Sequence, residues 1–113
     1  MMNWIDLTNE QELEAIKEQS KQHPVVIFKH STRCSISAMA KNRLEREKAV
    51  GDTPFYFLDL IRYRALSNKI AADFHVHHQS PQILIIKNGD CVYEDSHNGI
   101  NMHDIVELIA SAK

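Results

Sequence analysis

Residues 25–40 read VVIFKHSTRCSISAMA, a strand-like run that passes through a polar turn into a helix-like stretch. The first six residues are apolar almost throughout, which is typical of a buried strand. Cys34 stands at the junction, where the first N–H groups of a helix lack backbone partners and the helix dipole favours thiolate over thiol. The stretch therefore predicts a nucleophilic thiol, and the charge of Arg33 favours thiolate in the same way.

Ser37 follows Cys34 by three residues, so the two residues share a face of the predicted helix. We expect the Ser37 hydroxyl to lie close to the sulfur and to donate a hydrogen bond to it. In a Cys-x-x-Cys site the second thiol resolves the mixed disulfide that the first one forms, whereas a serine cannot. Cys34 then needs an outside thiol to complete a turnover. The alternative is that Ser37 is an ordinary first-turn serine.

The composition is typical of one globular domain. The chain has 113 residues, 43% hydrophobic and 25% charged, with a net charge of -2. We therefore expect a single domain over residues 1–113 and no nucleic-acid partner. Neither a membrane-spanning run of roughly 20 apolar residues nor a signal-peptide pattern is visible. These features predict a cytoplasmic protein without a membrane segment. We expect a monomer or a weak dimer.

Periodicity and turn residues predict four helices and four or five strands. The predicted helices are 8–22, opened by a capping box of Thr8 and Gln11, then 34–49 with Met39 and Leu44 inward, 63–74, and a last one capped by Asn101. The predicted strands are 25–30, 55–60, 82–87 and 91–94, and a short strand near Trp4 is left open. Helix 63–74 is expected to join its flanking strands as a β-α-β unit, and Asn88-Gly89 predicts an antiparallel hairpin.

This order of elements, with a cysteine at a helix start and Ser80-Pro81 before the hairpin, resembles the thioredoxin fold. Residues 28–37 (FKHSTRCSIS) and 78–89 (HQSPQILIIKNG), supported by 66–68 and 96–97, resemble the monothiol bacilliredoxins, thioredoxin-like proteins of the bacillithiol system. The resemblance covers nearly the whole chain. It implies an α/β, thioredoxin-like fold with a central mixed sheet of four to five strands flanked by helices.

Two residues beside the thiol depart from the pattern of that family. Ser35 stands where the family usually has proline, and Arg33 stands where it has a small hydroxyl residue. Serine offers an N–H group that proline lacks, and arginine adds a positive charge. Both changes affect the redox poise, while the expected reaction class stays the same.

The resemblance implies thiol-disulfide exchange with Cys34 and Ser37 as catalytic residues. It also implies a cis bond before Pro81, which lets the backbone of Ser80 pair with an extended substrate segment. The expected partners are bacillithiolated proteins, with bacillithiol as co-substrate and no bound cofactor. Bacillithiol carries a malate group with two carboxylates, which Arg33, Lys29 or His97 are candidates to bind. The substrate-binding residues we expect are Arg33, Ser35, Ser80, Pro81 and His97.

Cys91 and the histidines of the chain have less reactive interpretations. The hairpin carries Cys91 about 20 Å from Pro81, whereas a disulfide needs Cα atoms within about 7 Å, so we expect Cys91 to be a packing residue. His75, His77 and His78 lack a nearby carboxylate or thiol, and we predict no metal site. His30 is expected to be a strand-end residue rather than a base.

Two other functions are compatible with the sequence. A thioredoxin-like domain can act without catalysis, as a redox sensor capped on Cys34 under stress or as a partner-binding stress protein. It can also exchange thiols with glutathione in a cell that lacks bacillithiol. Only the expected exposure of Cys34 and the expected groove at Pro81 favour the enzyme.

Overall fold

Five strands form one mixed sheet in a computed structural model that describes residues 2–47 and 51–112. The strands are β1 (Trp4–Asp6), β2 (Val25–His30), β3 (Phe55–Asp59), β4 (Gln82–Lys87) and β5 (Asp90–Ser96). The helices are α1 (Glu10–Gln19), α2 (Ser35–Arg46), α3 (Arg64–Phe74) and α4 (Met102–Ala112), with a short 3-10 helix at His97–Gly99. Across the sheet the order is β1-β3-β2-β4-β5.

The first three strands in this order run parallel to one another, and β4 and β5 complete the sheet as antiparallel neighbours. This arrangement confirms the predicted mixed sheet flanked by helices, and β1 is the short strand near Trp4 that the sequence left open. The predicted single domain also includes residues 1, 48–50 and 113, which lie outside the described residues. None of the described helices is long and apolar enough to cross a membrane.

The central strand β2 is buried along its whole length because both faces of the sheet are covered. Val25 and Ile27 pack into the core shared with α1 and α3, whereas Val26 and Phe28 pack into the core shared with α2 and α4. Side chains alternate along a strand, so Lys29 lies on the α3 side of the sheet and His30 lies on the α2 side. These two buried polar residues lie at the end of β2 that leads to Cys34.

Helix α1 begins two residues later than predicted. Asn9 is its N-cap, with a side chain that accepts a hydrogen bond from the Glu12 N–H at 2.9 Å. The Glu12 carboxylate in turn accepts from the Thr8 N–H at 2.9 Å. The predicted capping box of Thr8 and Gln11 is therefore wrong by one position. Asparagine is as good an N-cap residue as threonine, and Glu12, three residues after Asn9, supplies the carboxylate of the box.

Four further predictions concern α2, the hairpin turn and the start of α4. The predicted end of α2 at 48–49 lies outside the described residues. Met39 was expected to face inward but is 60% exposed, because Ala40 and Leu44 occupy the buried face of α2. Asn88 and Gly89 take positive φ angles of 54° and 79° and form the predicted two-residue turn. The Asp104 N–H donates to Asn101 Oδ1 at 2.9 Å, so the cap of α4 is confirmed.

The predicted β-α-β unit around α3 is wrong. The strands before and after α3 run in opposite directions, because β3 is parallel to β2 and β4 is antiparallel to β2. The parallel connection is made instead by α2, between β2 and β3. Helix periodicity places α3 correctly over Arg64–Phe74, but it carries no information about the direction of the strand that follows.

Candidate active site

Cys34 is the N-cap of α2, as predicted, and its side chain is partly exposed. Its backbone is extended, with φ -119° and ψ 119°, and its carbonyl accepts the first helical hydrogen bond from Ala38 at 3.1 Å. The sulfur makes no capping hydrogen bond of its own. The thiol is therefore reachable by solvent at the N-terminal, positive end of a helix.

The Ser37 hydroxyl has different partners from the one predicted. Its side chain is fully buried, lies 2.7 Å from Nδ1 of His30 and accepts a hydrogen bond from the Ser31 N–H at 3.0 Å. Among the described residues no hydrogen bond joins it to Cys34. The predicted contact with the sulfur is replaced because the serine lies on the inner face of α2, which packs on the end of β2.

Ser31 organises the turn between β2 and the thiol. Its N–H donates to the Ser37 hydroxyl, and its carbonyl accepts a hydrogen bond from the Cys34 N–H at 3.2 Å. Its hydroxyl accepts from the Arg33 N–H at 3.4 Å. The position of Cys34 is therefore fixed through the backbone of a turn that begins at buried Ser31, and Ser37 supports that turn from inside the protein.

His30 is the buried partner that the sequence interpretation underrated. Burial lowers its pKa, and the nearby charge of Lys41 lowers it further against the opposing effects of Asp59 and Glu45. The imidazole is therefore neutral at neutral pH and presents one unprotonated nitrogen. Its ring lies 5.3 Å from the ring of Phe57. The histidine is held on the α2 side of the sheet, directly below the turn that carries the thiol.

Arg33 and Ser35 flank the thiol on the surface. Both side chains are exposed, and neither makes a side-chain hydrogen bond or an ion pair within the described part of the chain. Both are therefore free to meet a substrate, which agrees with their predicted binding role without testing it.

The proline loop, residues 75–81, reaches the same edge of the sheet. The Ser80-Pro81 peptide bond is cis, as the resemblance implies. In the pairing of β2 with β4, Lys29 lies opposite Gln82, so the next position places Pro81 beside His30, at the base of the turn to Cys34. The side chain of Ser80 is largely covered, and its hydroxyl has no hydrogen-bond partner among the described residues.

The return segment, residues 97–100, lies next to the proline loop, as the hairpin predicts. The His97 N–H donates to the Pro81 carbonyl at 3.1 Å, and His97 takes a left-handed φ of 55°. The structure therefore joins two predicted binding residues through the backbone. At Gly99 a Cβ atom would meet the Asp95 carboxylate, so a larger residue there would require the Asp95 side chain to move.

Arg43 is a site residue that the sequence interpretation missed. Its Nε donates to the Ile100 carbonyl at 2.9 Å and its terminal nitrogen donates to the His97 carbonyl at 3.2 Å. The arginine thus fixes the return segment to α2, the helix that begins at Cys34. No local signal distinguishes it from the other charged residues of α2, since both acceptors lie more than fifty positions away in sequence.

Lys29 is not available as a surface cation for a substrate. It is fully buried, and Nζ donates to the Ser67 carbonyl at 3.1 Å and lies 3.3 Å from Nδ1 of His78. Burial lowers its pKa from 10.5 to about 8. The suggestion that it binds a carboxylate of the small thiol is therefore wrong, because its side chain points into the α3 side of the core.

Cys91 lies at the far end of the hairpin from the proline loop. It pairs with Ile86, four residues along β4 from Gln82, and both cysteines are free. Its thiol donates to the Tyr93 carbonyl at 3.2 Å, and burial raises its pKa to about 11. The prediction of an unreactive packing residue agrees with these contacts.

The three histidines of the proline loop form no common metal-binding group in the described parts of the chain. One group of potential metal ligands does converge elsewhere, at His103, Asp104 and Glu107 on α4. It is exposed, and Asp104 already accepts a hydrogen bond from the Asn101 amide at 2.9 Å. These are ordinary features of a solvated helix surface.

Solved structures share this architecture. A candidate oxidoreductase with a thioredoxin fold is 31% identical, with a TM-score of 0.77 over 92% of this chain and 91% of that chain. Reduced Schistosoma mansoni thioredoxin is 20% identical, with a TM-score of 0.72 over 99% of this chain and 100% of that chain. A Halobacterium salinarum thioredoxin variant is 16% identical, with a TM-score of 0.72 over 96% of this chain and 89% of that chain. The predicted α/β, thioredoxin-like fold is confirmed.

A thioredoxin fold with an accessible cysteine at the start of α2 defines a redox thiol protein of the oxidoreductase type. The sequence also matches the profile of a family described as monothiol bacilliredoxin BrxC over residues 5–105. The chain belongs to the monothiol bacilliredoxin family.

Proposed function

We propose that the protein removes bacillithiol from protein mixed disulfides by a monothiol mechanism, with Cys34 as the nucleophile. The observation that carries this proposal is the geometry of the thiol. Cys34 is accessible at a helix start, the third residue after it is a buried serine, and Cys91 lies at the far end of the hairpin. Such a site can form a mixed disulfide but cannot resolve it within the chain.

The exchange takes place in two steps. The Cys34 thiolate attacks the bacillithiol sulfur of the client's mixed disulfide, the S–S bond breaks, and the client leaves as a thiolate that takes a proton from water. A new disulfide joins Cys34 to bacillithiol. A second bacillithiol thiolate then attacks the bacillithiol sulfur of this adduct, which releases Cys34 as thiolate and forms bacillithiol disulfide. A separate reductase is needed to return that disulfide to the thiol pool.

Electrostatics supports a site for the small thiol on the return-segment side of Cys34. Arg33 is exposed one residue before Cys34 and His97 is partly exposed on the return segment, and both are candidates to meet the malate carboxylates of bacillithiol. On the other side of the same sheet edge, a cavity of about 170 Å³ is lined by Asp6, Asp59 and Arg62 among others. Two carboxylates in that cavity disfavour a ligand that itself carries two carboxylates.

The client protein is expected to bind along the proline loop. Ser80 presents backbone groups beside the turn that carries Cys34, and main-chain pairing with an extended segment tolerates many client sequences. Exposed Ile36 and Met39 add apolar surface on α2 near the thiol. We place this activity in the cytoplasm, with bacillithiol as co-substrate and no bound cofactor.

A turnover assay with a bacillithiolated protein and free bacillithiol tests the proposal. We expect the wild type and Cys91→Ser to release the client thiol faster than bacillithiol alone does, and Cys34→Ala to give only that uncatalysed rate. A redox sensor, the main alternative, differs in the second step: it forms the Cys34 adduct once but is not regenerated by bacillithiol. Turnover with glutathione in place of bacillithiol, and none with bacillithiol, contradicts the assignment of the small thiol.

A further inference from the structure

Lys29 is an unusual residue for a protein core. Its side chain has no exposed surface, and no carboxylate pairs with it among the described residues. Lysines are almost never fully buried unless they are paired, because removing an ammonium group from water is costly. A methionine or leucine at this position of β2 avoids that cost. The hydrogen bonds of Lys29 should therefore have a use beyond stability.

The hydrogen bonds of Lys29 lead to the proline loop. Nζ lies 3.3 Å from Nδ1 of His78, three residues before Pro81, while its other partner is the Ser67 carbonyl of α3 at 3.1 Å. Burial lowers the pKa of His78, and the charges of Lys29 and Arg64 lower it further. Nδ1 of the neutral ring can accept, so the ammonium group donates to the loop.

Gln82 makes a second connection to the same loop. It lies opposite Lys29 in the pairing of β2 with β4, so the two side chains are neighbours on one face of the sheet. Its amide nitrogen donates to the His77 carbonyl at 3.0 Å and to the Glu94 carboxylate at 3.0 Å. Two adjacent buried side chains of the sheet therefore hold two consecutive residues of the proline loop.

The surroundings of Lys29 retain further unmatched polar groups. Ser67 Oγ, Ser80 Oγ and Gln82 Oε1 are shielded from solvent without a hydrogen-bond partner in the described part of the protein. Ser67 contacts Lys29, Gln82 pairs with it across the sheet, and Ser80 lies in the proline loop. Unsatisfied buried groups of this kind are rare in native proteins, and conflicts with stability concentrate at functional sites.

We propose that Lys29 is a positioning residue that holds the proline loop, through His78, in the conformation that presents Ser80 to the client protein. The proposal rests on the proposed function for the identity of the client. The chemistry at Cys34 is separate, since Lys29 faces α3 whereas the turn that carries the thiol is supported from the α2 side. Lys29 therefore affects the binding of a protein substrate and not the reactivity of the thiol.

Backbone ¹⁵N relaxation of the free protein gives a test that does not depend on activity. In wild type we expect order parameters for residues 77–80 near the rigid value of about 0.85, and in Lys29→Met and His78→Leu we expect a fall towards about 0.6. His78→Gln should stay near wild type because its amide oxygen accepts the same hydrogen bond. Lys69→Met, which removes an α3 lysine paired with Asp73 at 3.2 Å, is the matched control.

Kinetics tests the consequence for substrate. For Lys29→Met we expect KM for a bacillithiolated protein to rise roughly two- to tenfold, the ratio that corresponds to one lost hydrogen bond. Alkylation of Cys34 by iodoacetamide should proceed at the wild-type rate. The double variant Lys29→Met/His78→Leu should be no worse than either single variant, because both remove the same contact.

Unchanged order parameters and unchanged KM in a folded Lys29→Met protein overturn the proposal. A parallel loss of alkylation rate also overturns it, because the lysine then acts on the thiol. If Lys29→Met fails to fold, the comparison of His78→Leu with His78→Gln decides alone. If the wild type does not turn over bacillithiolated protein, the proposed function fails, while the relaxation measurement still decides whether Lys29 holds the loop.

Discussion

Ser37 Oγ lies 2.7 Å from Nδ1 of His30, and this buried hydrogen bond ties the third residue after the thiol to the end of the central strand. The same hydroxyl accepts from the Ser31 N–H, whose residue in turn binds the Cys34 N–H. At the position where a Cys-x-x-Cys site has its resolving cysteine, this protein has a serine that supports the turn carrying Cys34.

Substitution of Ser37 should slow exchange without abolishing it. Ser37→Ala leaves His30 Nδ1 and the Ser31 N–H unpaired in the interior, so we expect the free energy of unfolding to fall by about 1–3 kcal/mol. The exchange rate should fall because the turn is less well fixed. Urea unfolding can be followed by the fluorescence of Trp4, the single tryptophan, which stacks on Phe28 at 5.5 Å. Ser111→Ala, at an exposed position of α4, is the control, and complete loss of exchange in a folded Ser37→Ala protein contradicts the supporting role.

Removal of the Arg43 side-chain charge should weaken the binding of bacillithiol in the step that regenerates Cys34. Arg43→Met loses the hydrogen bonds to the His97 and Ile100 carbonyls, so the return segment is released from α2. We expect the bacillithiol concentration that gives half-maximal regeneration of Cys34 to rise roughly two- to tenfold. Arg46→Met, on the exposed end of the same helix, controls for the lost charge. An equal effect of both substitutions points to long-range electrostatics instead.

The two cysteines should differ in their reaction with iodoacetamide. Cys34 is accessible at a helix start, whereas burial raises the pKa of Cys91 to about 11. At pH 7.5 mass spectrometry should show one carbamidomethyl group on the native protein, located on Cys34, and two groups after unfolding in urea. Rapid labelling of Cys91 in the native protein would contradict this prediction and would indicate a second reactive thiol.

Lys29 should give the protein a measurable pH dependence of stability. Burial lowers its pKa from 10.5 to about 8, so between these values the unfolded chain binds more protons than the folded protein does. The contribution of Lys29 to the free energy of unfolding therefore rises with pH across this window. Lys29→Met should be more stable than wild type at pH 7, and the difference should narrow by up to about 3 kcal/mol towards pH 10.5. Cys91 and Tyr93 titrate with the opposite effect on stability, but they do so in both proteins and cancel in this difference. Parallel curves of unfolding free energy against pH for the two proteins would contradict a lowered pKa for Lys29.

Local patterns were sufficient to predict most of the fold. The buried run of β2, the Asn88-Gly89 turn and the i, i+4 series of α3 each depend on neighbouring residues, and the structure confirms all three. The direction of β4 relative to β3 depends on contacts across the sheet, and its prediction from helix periodicity was wrong. The inward assignment of Met39 was wrong for a local reason. Ser37, Ala40 and Leu44 follow helical spacing and form the buried face of α2, whereas Met39 lies five residues before Leu44 and so on another side of the helix.

The candidate site was predicted where its chemistry is local and missed where it depends on distant contacts. A cysteine at the start of a helix is visible in the sequence around Cys34. The partner of Ser37 is a strand residue seven positions earlier, and the acceptors of Arg43 and of Lys29 lie on other elements. Sequence spacing along one helix cannot indicate such partners, so the supporting residues of the site became visible only in three dimensions.

The role of Cys34 as the exchange nucleophile is tested most directly by the intact mass of the protein after incubation with one equivalent of a bacillithiolated client and no free thiol. We expect one bacillithiol adduct per chain, located on Cys34, with one equivalent of client thiol released. Subsequent addition of bacillithiol should remove the adduct. An unmodified chain beside an intact mixed disulfide, or an adduct on Cys91, would show that Cys34 is not the exchange nucleophile.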